Sequence, residues 1–225
     1  MFPYYVSPEQ MMHDKAEYAK KGISKGRSIV AIEYADGILL MADNPSVSLN
    51  KVSEIYDNIA FSGAGKYSEF ENLRKAGIRH ADLKGYMYSR EDVTAKSLAN
   101  AYSQTLGTIF SEAVKPLEVE ILVVSVGATP ADNECYRIVF DGTIIDEKGF
   151  TVIGGRSEAT IAFLKDRYQA AMALPEALSL ARRALDSTTG QEVAVASLEV
   201  AVLDRNRAGR KFRRLTLAEL RDLMK

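Results

Sequence analysis

The chain has 225 residues, of which 47% are hydrophobic and 26% are charged, and its formal net charge at pH 7 is −1. This composition is ordinary for a globular protein with a core, and the nearly balanced charge argues against a nucleic-acid-binding protein. No apolar run is long enough to span a membrane, the N-terminal residues lack the features of a signal peptide, and the single cysteine, Cys135, excludes an internal disulfide. We therefore expect a cytoplasmic protein without membrane contact.

The first predicted element is a helix over residues 9–22. Ser7 is a suitable N-cap, Pro8 fits the first helical position, and Gly22 is expected to end the helix. Three apolar residues share one face at helical spacing: Met12, Ala16 and Ala19. This face must pack on the body that follows, on a neighbouring copy, or on both.

Strands and helices then arrive in alternating groups. The predicted strands are 29–34, 38–43, 52–56, 59–63, 119–126, 136–140, 143–146, 151–153, 198–204 and 211–215. The predicted helices are 66–80, 92–112, 158–173, 175–187 and a short one from 217 to 225. Hairpin-linked strands indicate antiparallel sheets, and paired helices indicate whole helical layers. We predict one α+β domain, a four-layer α-β-β-α sandwich of antiparallel sheets with an extra N-terminal helix.

Residues 62–68, Ser-Gly-Ala-Gly-Lys-Tyr-Ser, lie between a predicted strand and helix and partly resemble a phosphate-binding loop. That motif requires glycine, four residues, and then Gly-Lys-Ser/Thr. Here Ala60 stands at the first glycine position and Tyr67 follows the lysine, so the pattern fails. We expect a tight turn, in which Gly63 and Gly65 allow close backbone approach, and no nucleotide or other cofactor.

Other reactive side chains are few. The two histidines, His13 and His80, have no acidic or cysteine companions at ligand spacing, so neither a catalytic triad nor a zinc site is expected. Cys135 lacks a nearby histidine and is interpreted as structural. Residues 205–214 contain five arginines and one lysine, which indicates a solvated loop or an interface with an acidic neighbour.

Lys51 stands immediately before a predicted strand, close in the predicted fold to the turn at Gly63. A lysine fixed beside open backbone N–H groups can hold a carboxylate by charge-assisted hydrogen bonds. Local chemistry alone nevertheless favours a solvated lysine.

Segments throughout the chain resemble the α-type subunits of the proteasome family, in their actinobacterial form. The matching segments are 7–12, 16–23, 26–28, 34–37, 51–57, 69–74, 92–95, 98–102 and 198–205. The family fold is the four-layer sandwich of N-terminal-nucleophile hydrolases, which agrees with the layers predicted above. The resemblance implies a cylinder with outer heptameric α-rings and inner heptameric rings of β-subunits.

The resemblance also implies that this chain is not itself a peptidase. The family's β-subunits cut peptides with a processed N-terminal threonine, aided by a lysine and an aspartate. Counting back from the first strand places the nucleophile position near Arg27, and no threonine occurs between Lys21 and Ile32. Asp43 and Lys51 fall near the positions of the catalytic aspartate and lysine, and we interpret them as relics or reused sites.

Three residues, Glu17, Lys51 and Gly63, match family positions that line a pocket between adjacent α-subunits. The resemblance implies that this pocket receives the C-terminal carboxylate of a hexameric AAA ATPase, which feeds pupylated proteins into the cylinder. Residues 1–8 would form a gate tail, residues 9–22 the N-terminal helix and residues 28–225 the sandwich. The gate residues are Phe2, Pro3, Tyr4, Tyr5, Val6, Ser7 and Pro8.

The gate departs from the archaeal and eukaryotic pattern, because Tyr4-Tyr5 stands where those relatives carry a tyrosine-aspartate pair. Three other functions remain open at this point. They are a catalytic peptidase of the same fold, a nucleotide-binding protein using residues 63–66, and a self-assembling shell that binds no activator.

Overall fold

The computed structural model describes residues 7–190 and 192–224, and within them two five-stranded antiparallel sheets lie between helices. The helices are α1 (Pro8–Ser24), α2 (Tyr67–Met87), α3 (Ala95–Glu112), α4 (Ser157–Lys165), α5 (Leu174–Thr189) and α6 (Leu217–Leu223). The strands are β1 (Ile29–Tyr34), β2 (Gly37–Asp43), β3 (Val52–Tyr56), β4 (Ile59–Gly65), β5 (Val119–Ser125), β6 (Glu134–Ile138), β7 (Ile144–Asp146), β8 (Phe150–Ile153), β9 (Leu198–Asp204) and β10 (Phe212–Arg214).

The first sheet has the strand order β10-β9-β2-β1-β8, and the second has the order β3-β4-β5-β6-β7. Successive side chains along each strand point to opposite faces of the sheet, so they pack into two different layers. In β5, Leu122 and Val124 join the core between the sheets, whereas Ile121 and Val123 pack under α2 and α3. Both sheet faces are covered, which explains why the strands are apolar almost throughout. The predicted α-β-β-α sandwich is confirmed.

Helix α1 starts as predicted, with the Ser7 hydroxyl accepting a hydrogen bond from the Gln10 N–H at 3.2 Å. The predicted end at Gly22 is wrong, because the helix continues to Ser24. A Cβ at Gly22 would lie 2.1 Å from the Glu118 carboxylate. Glycine at this position therefore lets α1 lie close to the second sheet, and it does not end the helix.

The predicted helix 92–112 is also shorter than expected. Ser89 caps a single 3₁₀ turn, Arg90–Asp92, and α3 begins after Thr94, whose hydroxyl accepts from the Ser97 N–H at 3.1 Å. Ser89 and Thr94 thus each cap a separate element where a single helix was predicted.

The predicted helix 158–173 is wrong in its second half, since α4 ends at Lys165. The chain turns there so that the Tyr168 ring packs on Phe150, with 5.3 Å between ring centroids. The Met172 carbonyl then accepts from the Ala35 N–H at 2.9 Å, beside β1. These tertiary contacts outweigh the local helix preference of the segment. Within the described residues, no helix combines the length and the apolar character needed to cross a bilayer.

Candidate functional site

Three side chains that the sequence marked out meet at one end of the sandwich. Arg27 lies just before β1, Asp43 ends β2, and Lys51 lies just before β3 in the other sheet. The site is therefore assembled where the two sheets approach each other, from segments that are 16 and 24 residues apart in sequence.

Arg27 and Asp43 form a close ion pair. The Arg27 guanidinium donates to both Asp43 carboxylate oxygens, with distances of 2.8 and 2.7 Å from one nitrogen. The Asp43 side chain is only 6% exposed, whereas that of Arg27 is 54% exposed. A buried carboxylate needs such a partner, because an unpaired buried charge is strongly unfavourable.

The Lys51 ammonium lies against the same pair but bonds to main-chain atoms. Its Nζ donates to the carbonyl oxygens of Arg27 and Asp43, each at 3.2 Å. The pKa of Lys51 is lowered to about 8, chiefly by burial; Asp43 and Glu199 oppose this shift, and the Arg27 charge adds to it. An ammonium has three donors, and two of them have acceptors within the described residues. The third is available to an incoming acceptor.

Glu199 fixes the backbone of this site and was missed by the sequence analysis. Its carboxylate accepts the Lys51 N–H at 2.8 Å, the Val52 N–H at 3.1 Å and the Asn44 side-chain amide at 2.7 Å. Arg214 pairs with it at 2.6 Å. The sequence signal that could have identified Glu199 is an acidic residue inside the apolar strand β9, on the strand face that packs against the other sheet.

Gly63 lies next to Lys51, but its backbone amide is not open as the sequence suggested. The Gly63 N–H donates to the Lys51 carbonyl at 3.1 Å within the second sheet. A Cβ at Gly63 would lie 2.5 Å from the Phe70 ring, so the glycine lets α2 pack on the sheet. The predicted tight turn between strand and helix is present but begins later than Gly63, because β4 continues to Gly65, which has a positive φ of 100°.

Glu17 is exposed on α1, where its carboxylate lies 3.6 Å from His13 Nε2. Within one chain the structure thus brings Lys51 and Gly63 together and leaves Glu17 on a separate helix. Ser7 and Pro8 begin α1. The other predicted gate residues lie outside the described residues: Phe2, Pro3, Tyr4, Tyr5 and Val6.

The remaining candidate segments have structural contacts within the chain. At the start of α2, Lys66 Nζ lies 3.4 Å from the Glu69 carboxylate, and the Lys66 N–H bonds to the Glu118 carbonyl at 2.9 Å. Cys135 is buried between the sheets, and burial raises the pKa of its thiol. In the arginine-rich hairpin, three arginines pair with acidic side chains of this chain: Arg210 with Glu54, Arg213 with Glu219 and Arg214 with Glu199.

Comparisons with known proteins cover nearly all of the chain. The family model described as "Proteasome: Proteasome subunit" matches residues 23–203. The protein "Proteasome subunit alpha" of Frankia alni is 53% identical over 228 residues, covering 98% of this chain and 95% of that protein. The protein of the same name from Thermomonospora curvata is 52% identical, covering 99% of this chain and 97% of that protein. The one from Thermobifida fusca is 53% identical, covering 95% of this chain and 86% of that protein.

Proposed function

Because this chain belongs to the proteasome subunit family and its relatives are α-type subunits, we propose that it is a non-catalytic α-ring subunit of the 20S core particle. Copies of the chain form a heptameric ring that gates the access of substrates and scaffolds the ring of β-subunits. The same ring docks a hexameric AAA ATPase through its C-termini, so that pupylated proteins pass into the cylinder in the cytoplasm.

The contacts of Arg27, Asp43 and Lys51 are the main support for a non-catalytic role of this chain. A threonine-type peptidase of this fold needs a hydroxyl nucleophile and a free α-amine at its own N-terminus. Arg27 offers neither, since its guanidinium binds Asp43 and its backbone follows α1. The Lys51 ammonium holds two carbonyl oxygens of the same site. Asp43 thus pairs with the Arg27 side chain, whereas Lys51 binds backbone carbonyls, and we propose that neither serves a nucleophile.

Activity and assembly are tested on the purified chain with and without its β-subunit. We expect the chain alone to cleave no fluorogenic peptide, and we expect electron microscopy to show heptameric rings that stack on β-rings when both are present. Robust hydrolysis by a preparation free of β-subunit would refute the non-catalytic role. Particles that never incorporate the β-subunit would refute the scaffold role.

Activator docking is proposed for the pocket at Lys51. The ammonium is partly desolvated, has one donor without an acceptor among the described residues, and forms no ion pair with a carboxylate there. A chain-terminal carboxylate would complete its bonding with a charge-assisted hydrogen bond. We propose that Glu17, which is exposed on α1, lines the Lys51 pocket of an adjacent subunit.

The gate is proposed for residues 1–8, with Pro8 fixing the direction in which the tail leaves α1. Deleting residues 2–8 should raise the hydrolysis of small peptides by the assembled particle, because the axial barrier is lost. The measurement compares initial rates at equal particle concentration, with intact assembly checked by electron microscopy. Unchanged rates in intact particles would count against a gate.

A further inference from the structure

A groove of about 550 Å³ lies between the first half of α2 and strand β10, and we call it the arginine groove. Both sheets contribute an edge strand to its lining, β3 from one and β10 from the other. Five arginines line it: Arg74, Arg207, Arg210, Arg213 and Arg214. A cavity of this size in which polar groups converge is typical of a ligand-binding site.

The arginine groove carries more positive charge than its carboxylates neutralise. Two of its lining residues are acidic, Glu54 and Glu71, and two further glutamates pair with its arginines from outside the lining. Four of the five arginines therefore have one glutamate partner each. The fifth is Arg207, which is exposed and has no acidic partner among the described residues. Its Nη1 donates to the Phe212 carbonyl at 2.7 Å.

The paired arginines also keep donors that can reach a ligand. A guanidinium has five N–H donors. Arg74 directs Nε and Nη2 at the Glu71 carboxylate, at 2.8 and 2.7 Å, and Arg210 directs the same two nitrogens at Glu54. In both arginines Nη1 has no acceptor within the part of the chain that the structure describes. A carboxylate can therefore bind without breaking these ion pairs, and it matches the geometry of a guanidinium.

The arginine groove adjoins the site at Lys51. Asn50, the residue before Lys51, lines the groove, and Arg214 Nη2 donates to the Val52 carbonyl. Glu199 connects the two sites, since its carboxylate accepts the Lys51 N–H and also pairs with Arg214. The groove and the Lys51 site thus share one carboxylate and the same stretch of backbone.

A peptide whose terminal carboxylate is held at Lys51 has neighbouring residues that can enter the groove. An extended chain advances about 3.3–3.6 Å per residue, so positions two to five before the terminus lie roughly 7–18 Å from the bound carboxylate. We propose that the arginine groove binds acidic side chains of the activator's C-terminal segment at these positions, with Arg207 as their main partner. This inference rests on the proposed docking at Lys51, and it adds the chemistry of the residues ahead of the terminus.

The test uses fluorescent peptides with the C-terminal sequence of the activating ATPase. One position, two to five residues before the terminus, carries glutamate or its neutral isostere glutamine. Binding to particles assembled from this chain and its β-subunit is measured by fluorescence polarisation. Glutamate should bind about two- to fivefold more tightly than glutamine at one or more positions, as expected for a partly exposed ion pair. This preference should shrink as added salt screens the charges.

Substitutions at Arg207 connect the preference to the groove. Arg207→Ala should reduce the preference for glutamate and Arg207→Glu should abolish it, whereas Arg207→Lys keeps the charge and should keep most of it. Arg167→Ala and Arg167→Glu are the matched controls, and both should leave the preference unchanged. Arg167 is also exposed and also donates to a backbone carbonyl, that of Phe163 at 3.0 Å, and it lies outside the groove.

Three outcomes would overturn the proposal. The first is equal binding of the glutamate and glutamine peptides at every position, and the second is a preference that survives Arg207→Glu. The third is loss of ring assembly in Arg207→Glu but not in Arg167→Glu, seen by electron microscopy, because the groove would then hold a neighbouring copy of the chain. Docking at Lys51 fails separately, since it is refuted if Lys51→Ala binds every peptide as tightly as the unaltered particle does, whatever the preference for glutamate.

Discussion

Replacing Lys51 by alanine should separate activator docking from peptide cleavage. The substitution removes one charge-assisted hydrogen bond to the docked carboxylate, which is worth about 1.5–3 kcal/mol in a partly desolvated site. That loss corresponds to a roughly 10- to 150-fold rise in the Kd for each C-terminus. The fold also loses the two bonds to the Arg27 and Asp43 carbonyls, at a net cost of about 0.5–1.5 kcal/mol each.

The assay measures binding of a synthetic peptide with the C-terminal sequence of the activating ATPase to assembled particles, by fluorescence polarisation. A second peptide carries a C-terminal amide, which removes the carboxylate charge. Amidation should weaken binding to the unaltered particle by the same factor as Lys51→Ala, and it should have little further effect on the variant. Small-peptide hydrolysis should be unchanged, whereas ATPase-dependent protein degradation should be lost. Lys165→Ala, at an exposed position in the last turn of α4, is the matched control.

Two outcomes would refute this reasoning. If Lys51→Ala binds the peptide within twofold of the unaltered particle, the lysine is not the carboxylate partner. If amidation costs equal amounts in the variant and in the unaltered particle, the carboxylate binds elsewhere.

Only the protonated form of Lys51 binds a carboxylate, and burial lowers its pKa to about 8. The affinity of the unaltered particle for the peptide, relative to Lys51→Ala, should therefore fall as the pH rises through about 8. A constant ratio of affinities well above that pH would contradict this. Gly63→Ala places a methyl group 2.5 Å from the Phe70 ring, so the free energy of unfolding in urea should fall by about 1–3 kcal/mol, and an unchanged midpoint would show that α2 adjusts freely. Arg27→Thr should produce no peptidase activity in a fluorogenic assay, because the threonine would lack a free α-amine; measurable hydrolysis by the variant chain would count against the non-catalytic assignment.

Local sequence patterns predict most of the layers of this fold. Alternating groups of strands and helices predict the antiparallel hairpins, and the start of the last helix at residue 217 is predicted correctly. The ends of helices were harder to predict, because tertiary contacts decide them. Gly22 lies inside α1, where it leaves room for Glu118, and α4 ends at Lys165, after which Tyr168 packs on Phe150.

The candidate site was predictable only in part, for a similar reason. The resemblance to the proteasome family marked the positions of Arg27, Asp43 and Lys51, and the structure brings these residues together. The role of Glu199 depends on contacts 147 and 148 residues away along the chain, so no local pattern reveals it. The amide of Gly63 was misjudged because strand pairing, which occupies it, is not visible in the residue type.

The most direct test of the account is a cryo-electron microscopy reconstruction of particles assembled from this chain and its β-subunit, with the activator's C-terminal peptide bound. We expect a peptide carboxylate within hydrogen-bond distance of Lys51 Nζ, Glu17 of an adjacent subunit beside the same pocket, and Arg27 still paired with Asp43. A peptide bound away from Lys51, or a cleaved chain that begins at the nucleophile position, would contradict it.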